Sequence, residues 1–338
     1  PDNTDAADQL IPLYRELAEW RKLPAVYDIA IAHAGDAARK RAMMLEIAKI
    51  QEENLNNREK AFFWHVEAFK ENFEDRDIRG ELERLAEPTN NYDIYVAVLE
   101  EGVQRISSRS DKTEVFIRIG QIYSEKLDQT ENALNAFREA LAIEDTNRDA
   151  LNAVEGIYRT TGRYGELVEA LRKKLEIERR DEFRKEVLFD IGCTLRDHLA
   201  QNEQAVAIFN EMLGLYPSVE RVYDELAVIY SSGRDFGLLR ELVRREIEAF
   251  AGSADTKRTL LCELHARLGM LEYGAGGGAA AAVSLYENAL QLNPDYELAA
   301  GLLEELLGLG DIRGRIIPVL KRFYIHRGEV VKLADIVE

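Results

Sequence analysis

The sequence predicts an all-α chain, a solenoid of stacked helical hairpins, and three observations carry that prediction. Only 7 prolines interrupt 338 residues, and a 46% hydrophobic content dispersed among abundant Ala, Leu, Glu and Arg favours helix. The same lettering recurs: Ile47, Ile119 and Ile191 lie 72 residues apart, as do Ala61, Ala133 and Ala205, and Tyr14, Tyr158 and Tyr230 fall at multiples of that spacing. Leu264 and Ala282 continue the series after one and five extra residues have accumulated. Half of 72 is 36, the size of one helical hairpin, and two flavours of hairpin alternate.

In chain order, residues 1–40 read as half a pair. Leu10, Leu13, Tyr14 and Leu17 form one helical stripe, and Pro24 opens the second helix, where its missing N–H costs nothing. Residues 41–110 form the first full pair, with Met44, Ile47, Ala61 and His65 in one hairpin and Glu87-Pro88-Thr89-Asn90-Asn91 as a plain turn in the other. Residues 111–182 carry the clearest lettering. Phe116, Ile119 and Tyr123 share a helix face, Gly120 leaves room for a neighbouring helix, and Ala133 with Phe137 sets a small residue beside a large one on the next helix. The partner hairpin reads Leu151, Val154, Tyr158, Gly162 and Tyr164. Residues 183–254 repeat this with Leu188, Ile191, Gly192, Leu195, Ala205, Phe209 and Pro217, and Ser231–Arg234 separates the last two helices. Residues 255–327 follow with Leu261, Leu264, Ala282, Tyr286 and Pro294, with His265 at the position of Gly120 and Gly192 and with 274–279 as an enlarged turn. Residues 328–338 begin another helix. About sixteen or seventeen helices and no interdomain linker are expected. The chain starts without Met and ends inside the apolar segment Val330–Val337, so it reads as a piece of a longer protein.

These letters resemble the tetratricopeptide repeat (TPR), in which a large apolar residue, Leu-Gly, Tyr, Ala-x3-Phe and a closing Pro mark a 34-residue helix–turn–helix unit. The long arrays common in bacteria are similar. The resemblance covers nearly the whole chain and is closest over Lys112–Asp145 and Arg184–Pro217. Leu167, Leu239 and Ile316 stand where the family has Ala, which implies looser packing there. The resemblance implies a right-handed superhelix, no catalysis, and a concave groove that binds a peptide or a partner protein.

Composition narrows the partners. With 62 acidic and 44 basic residues the formal charge is −18. That argues against nucleic acid, which needs a basic face. It suits a basic partner, or simply keeps a surface-rich array in solution. No stretch is apolar for long enough to insert in a membrane. Cys193 and Cys262 fall in different pairs, too far apart for a disulfide, and free thiols suit a reducing compartment such as the cytoplasm. Oligomeric state is left open by the sequence.

Chemical motifs are sparse. Gly274–Ala279 spells a dinucleotide fingerprint, but a helical pattern precedes it where that motif needs a strand. Cys262 and His265 share one helix turn with no second pair to complete a metal site. No nucleophile–base set is spaced for catalysis, so neither cofactor nor enzyme activity is expected.

The groove remains as the candidate site. The resemblance assigns its lining to the first helix of each hairpin, at the second, fifth, ninth and twelfth repeat positions. The candidates are Gln121, Asn152, Arg159, Phe189, Arg196, Arg221, Asp224, Cys262 and Leu298. Acidic residues recur at the second position: Asp5, Asp77, Glu114, Asp149 and Glu186. They read either as a ladder for a basic peptide or as anions favoured at helix N-termini by roughly 0.3–1 kcal/mol each. The last two hairpins carry small or apolar residues at the groove positions, either a seat for a peptide or a stacking face for a further repeat. Arg159, Arg196 and Arg221 can bind a carboxylate or pair with Asp149, Asp224 or Glu186. Two functions follow: an interaction scaffold that uses the groove, or an architectural spacer in a larger assembly with no groove ligand.

Overall fold

The protein was analysed as a computed structural model, which describes residues 4–274 and 278–337. Among these it is all helix, a solenoid of nineteen α-helices with no strand. The chain divides into two compact units, Pro1–Ile177 and Glu178–Glu338, so the division falls within the stretch read from sequence as the pair 111–182.

Unit 1 contains α1 (Thr4–Glu16), α2 (Leu23–Ala32), α3 (Ala37–Glu53), α4 (Arg58–Glu71), α5 (Arg76–Thr89), α6 (Tyr92–Val103), α7 (Arg109–Glu125), α8 (Thr130–Ile143), α9 (Arg148–Thr161) and α10 (Tyr164–Ile177). Unit 2 contains α11 (Asp181–Asp197), α12 (Asn202–Leu215), α13 (Glu220–Ser232), α14 (Phe236–Phe250), α15 (Arg258–Gly274), α16 (Ala279–Leu292), α17 (Glu297–Glu305), α18 (Gly310–Arg327) and α19 (Val330–Val337). Within each unit the substantial contacts join helices that are next or next but one in sequence, as a solenoid requires.

Local chemistry fixes the helix ends. Asp36, Asn57, Ser108 and Asn147 each accept a hydrogen bond from the backbone N–H three residues later, at 2.9, 3.0, 3.2 and 3.1 Å. Each thereby satisfies one of the donors orphaned at a helix start. The turns carry the 72-residue spacing in their backbone. Asn56, Asp128 and Ala200 have φ of 50°, 54° and 53°, one at the same place in three first-flavour hairpins. Ala18, Asn90, Gly162 and Arg234 have φ of 53°, 53°, 71° and 58° in the second flavour. Only glycine takes this left-handed region without strain. Ala200→Gly and Arg234→Gly are each expected to raise stability by up to about 1 kcal/mol in urea unfolding. The same exchange at exposed Glu176, inside α10, should lower it.

Four expectations are corrected. Residues 87–91 are not one turn: α5 continues through Pro88, and the chain turns only at Asn90, whose left-handed backbone lets Asn91 N–H reach Ala86 O at 3.0 Å. The enlarged turn at 274–279 is also misplaced. Its central residues 275–277 lie outside the described residues, but α15 and α16 begin 21 residues apart, as α7 and α8 or α11 and α12 do. The extra residues fall earlier: α14 and α15 begin 22 residues apart, against 17 for α6 to α7 and α10 to α11, and a short 3₁₀ turn at Ala251–Ser253 takes up part of the excess.

Consequently His265 does not take the glycine position in the last pair. Gly269 does. A Cβ there would lie 2.3 Å from the Tyr286 ring, just as one at Gly120 would lie 2.7 Å from Phe137 and one at Gly192 2.3 Å from Phe209. Each glycine is a seat for the aromatic ring seventeen residues on, which docks the second helix of the hairpin onto the first. In the earliest copy Ala48 and His65 hold the two positions, a larger seat with a smaller ring, and both are buried. Leu167, Leu239 and Ile316, expected to pack loosely, are 1%, 4% and 0% exposed and fill their interfaces.

Candidate binding surface

The first helices of the hairpins leave one face partly exposed, and the candidate residues are best followed along it within each unit. In unit 1 this face holds two clefts. The first, of about 450 Å³, lies between α3 and α5. Arg84 bridges it: Nη1 and Nη2 donate to the two oxygens of Glu52 at 2.8 and 2.6 Å, and Nε donates to Glu81 at 2.9 Å. The Arg84 hydrogen bonds hold the Glu52 carboxyl below the usual carboxylate range. His65 of α4 also lines this cleft; it is 8% exposed, and its Nδ1 has no hydrogen-bond partner. Burial pushes its pKa below the ordinary imidazole value.

The second cleft, of about 490 Å³, is lined by α5, α7 and the start of α9. Gln121 lines it and accepts from Arg118 Nη1 at 3.1 Å. Arg118 also pairs with Glu83 at 2.8 Å, and Arg79 pairs with Glu114 at 2.6 Å. Asp149 sits in the first turn of α9, where the helix dipole favours it. Asn152, further along α9, is exposed and makes no side-chain hydrogen bond among the described residues. Arg159 is exposed and bonded to Glu155 at 3.0 Å.

In unit 2 the arginines are spent on their own neighbours. The Arg221 guanidinium lies 4.0 Å above the Phe189 ring and donates to Glu186 at 2.7 Å, while Phe189 packs at 6.0 Å from Phe209. Arg196, with 20% of its side chain exposed, is held by Asp197 at 2.7 Å and by Glu225. The pairing with Glu186 was one of the sequence alternatives; Glu225, Asp197 and the Phe189 stack had no signal in the spacing. Asp224 is exposed, and it faces a group that sequence reasoning missed. Glu246 on α14 is 5% exposed, and burial, then Asp224, push its pKa up to about 7.

Cys262 requires a correction. It was placed in the groove, but it is fully buried and its thiol donates to the Ala289 carbonyl at 3.4 Å. The four-residue register shift in α15 explains the error. In the register set by Gly269, the residues matching Phe189, Cys193 and Arg196 are Ala266, Met270 and Tyr273. Met270 and Tyr273 are 43% and 47% exposed, and Leu298 is 50% exposed. The signal that would have found them is the seventeen-residue glycine-to-aromatic spacing. Of the acidic ladder, Glu114 and Glu186 are paired with arginine, Asp77 and Asp149 sit in first helical turns, and the Asp5 side chain lies outside the described residues.

Among the described residues, no group of three or more His, Cys, Asp or Glu is placed to hold a metal ion, and no helix is long and apolar enough to cross a membrane. Both cysteines are free.

Comparison with known proteins agrees with the packing. Sequence profiles of the tetratricopeptide repeat match residues 113–147 and 150–185 in tandem. No curated protein matches the chain. Solved structures with a similar course include the C-terminal part of a TPR repeat-containing protein from Cytophaga hutchinsonii, at 17% identity over 75% of this chain and 97% of that one, with a TM-score of 0.36. YrrB, a TPR protein with an unusual peptide-binding site, aligns at 16% identity over 56% and 90%, TM-score 0.30. The TPR2AB domain of yeast Sti1 in its pHSP90 complex aligns at 13% over 85% and 99%, TM-score 0.32. The two tandem profile matches identify tetratricopeptide repeats, which serve in general as protein-interaction scaffolds, at residues 113–147 and 150–185 of this chain.

Proposed function

We propose that the chain seats an extended peptide or a helix of a partner protein on the exposed face of its first helices. The observation that carries this reading is the pair of clefts in unit 1, cut between successive first helices and lined by charged and amide side chains. The first helices of unit 2 offer a different chemistry, with Met270, Tyr273 and Leu298 exposed. A partner with basic and apolar positions suits both, and the charge of −18 opposes nucleic acid.

The test is selection of peptides from a random library against the whole chain. Binders are expected to lose about 10-fold in affinity with Asn152→Arg in unit 1 or Leu298→Glu in unit 2, and to tolerate Glu169→Arg on the second helix α10. Binders indifferent to both inner changes and lost on the α10 change would remove the reading. One observation favours the spacer alternative: Arg159, Arg196 and Arg221 are already satisfied within the array. A library that yields no binder would favour it.

A further inference from the structure

A cavity of about 260 Å³ lies between α16 and α18 in unit 2, lined by Leu290, Val319 and Phe323 together with Glu287, Arg322 and His326. Both helices are the second of their hairpins, so this site is separate from the face of the first helices. Its charge runs against the rest of the molecule. In a chain of formal charge −18, α18 carries Arg313, Arg315, Lys321, Arg322 and Arg327 and, after Asp311 in its first turn, no acidic residue. Some of these cations are struts. Arg322 donates to Glu287 at 2.5 Å, as Arg245 donates to Asn210 at 3.1 Å one pair earlier, both across 35 residues. Arg327 is held by Glu297 and Glu329, and His326 Nε2 lies 3.4 Å from Asp295. Arg315 and Lys321 are different. Both are exposed and neither has an ion pair among the described residues; Arg315 donates to the neutral Ser284 hydroxyl at 2.9 Å. Arg315 comes four residues before Val319 and seven before Arg322, so it stands on the stripe of α18 that lines the cavity.

The cavity is smaller than the roughly 300–1,000 Å³ of a small-molecule site, and its apolar lining matches one large apolar side chain acting as an anchor. The two cations without a carboxylate call for acid beside that anchor. An anionic membrane fits poorly, because the apolar face of α18, with Ile316, Leu320 and Tyr324, is turned into the core and is not free to insert. A nucleic-acid backbone would meet few open cations and the repulsion of the whole chain. A short acidic segment stays within the basic patch. We propose that this groove docks an acidic peptide segment of a partner protein, with a large apolar side chain in the cavity and carboxylates on Arg315 and Lys321. It is a second site, independent of the first-helix reading above.

The probe is a short fluorescent peptide of Asp and Glu around one central Phe. Its binding to the whole chain is read by anisotropy at physiological salt, where exposed charges are screened beyond about 8 Å. Two twins separate the two features: one has Ala in place of the Phe, the other has Asn and Gln in place of the acids. The parent peptide should bind about 10-fold tighter than either twin. Arg315→Glu with Lys321→Glu should erase that advantage, whereas the charge-matched Arg21→Glu with Lys60→Glu, at exposed positions of unit 1, should keep it. Asn152→Ala and Leu298→Ala, on first helices, should leave the binding unchanged. Equal binding of the parent and either twin, equal loss in both double variants, or loss with Asn152→Ala or Leu298→Ala would overturn the groove. So would tighter binding of a fluorescent DNA oligonucleotide or of phosphatidylserine vesicles that is lost in the Arg315→Glu, Lys321→Glu variant, since the cations would then serve phosphate.

Discussion

Gly192→Ala should destabilise the protein by about 1–3 kcal/mol, although alanine is the better helix former by about 1 kcal/mol. The added methyl would stand 2.3 Å from Cε1 and 2.6 Å from Cζ of Phe209, a fully buried ring. The ring fills the interface between α11 and α12, so moving it disturbs both helices. Gly156→Ala is the control. It is also inside a helix, yet nothing lies within 4 Å of its missing Cβ, so that change should stabilise by up to about 1 kcal/mol. The opposite signs of the two substitutions are the expected result. Urea unfolding followed by hydrogen exchange should place the Gly192→Ala loss in α11 and α12 first, since neighbouring repeats need not melt together. Two alanine variants that shift stability in the same direction would show that the ring does not depend on that seat.

The second large effect concerns Glu246. Its folded-state pKa of about 7 lies above the ordinary value of 4.5 because the carboxylate is buried and stands near Asp224 and Glu220, with Arg267 only partly offsetting them. A raised folded pKa means that the protonated form is the one compatible with the fold. Its contribution is therefore fully present below about pH 4.5, declines as pH rises through 7, and becomes a constant penalty above that. Glu246→Gln keeps the shape and cannot ionise. The variant should match the parent near pH 4 and exceed it at pH 8 by a margin on the order of 3 kcal/mol. The difference between the two unfolding curves isolates this group, because every other carboxylate titrates in both proteins. A gap that is the same at pH 4 and pH 8 would show that Glu246 is not held protonated by the fold.

Helices and their order were legible because burial selects apolar residues at helical spacing, and because the 72-residue copies repeat that spacing with the same residues. The register of α15 was not legible, for a physical reason. The slip is four residues, close to one turn, so it moves one apolar stripe onto another: Leu261 and Leu264 are 2% and 4% exposed, and so fit a core in either alignment. The glycine seat breaks that degeneracy, since Gly269 is the glycine that lies against the Tyr286 ring. Along the candidate surface, Gln121 lines a cleft and Asn152, Asp224 and Leu298 are exposed. Availability was not legible. Whether an arginine awaits a ligand or is already satisfied depends on side chains about one hairpin away, as Glu186 is from Arg221 at 35 residues, and sequence spacing alone does not say which acid wins. Glu246 was invisible for the same reason: only packing shows that a helix buries a lone carboxylate against Asp224.

The extra residues between the starts of α14 and α15 show where this architecture absorbs a change of length. They precede a hairpin whose own internal spacing, from Gly269 to Tyr286, is unaltered. A joint that has already taken up an insertion without disturbing the docked ring beyond it is a natural splice point. Residues 251–257 are accordingly the place to graft a reporter loop or an affinity tag, or to exchange whole modules with another array.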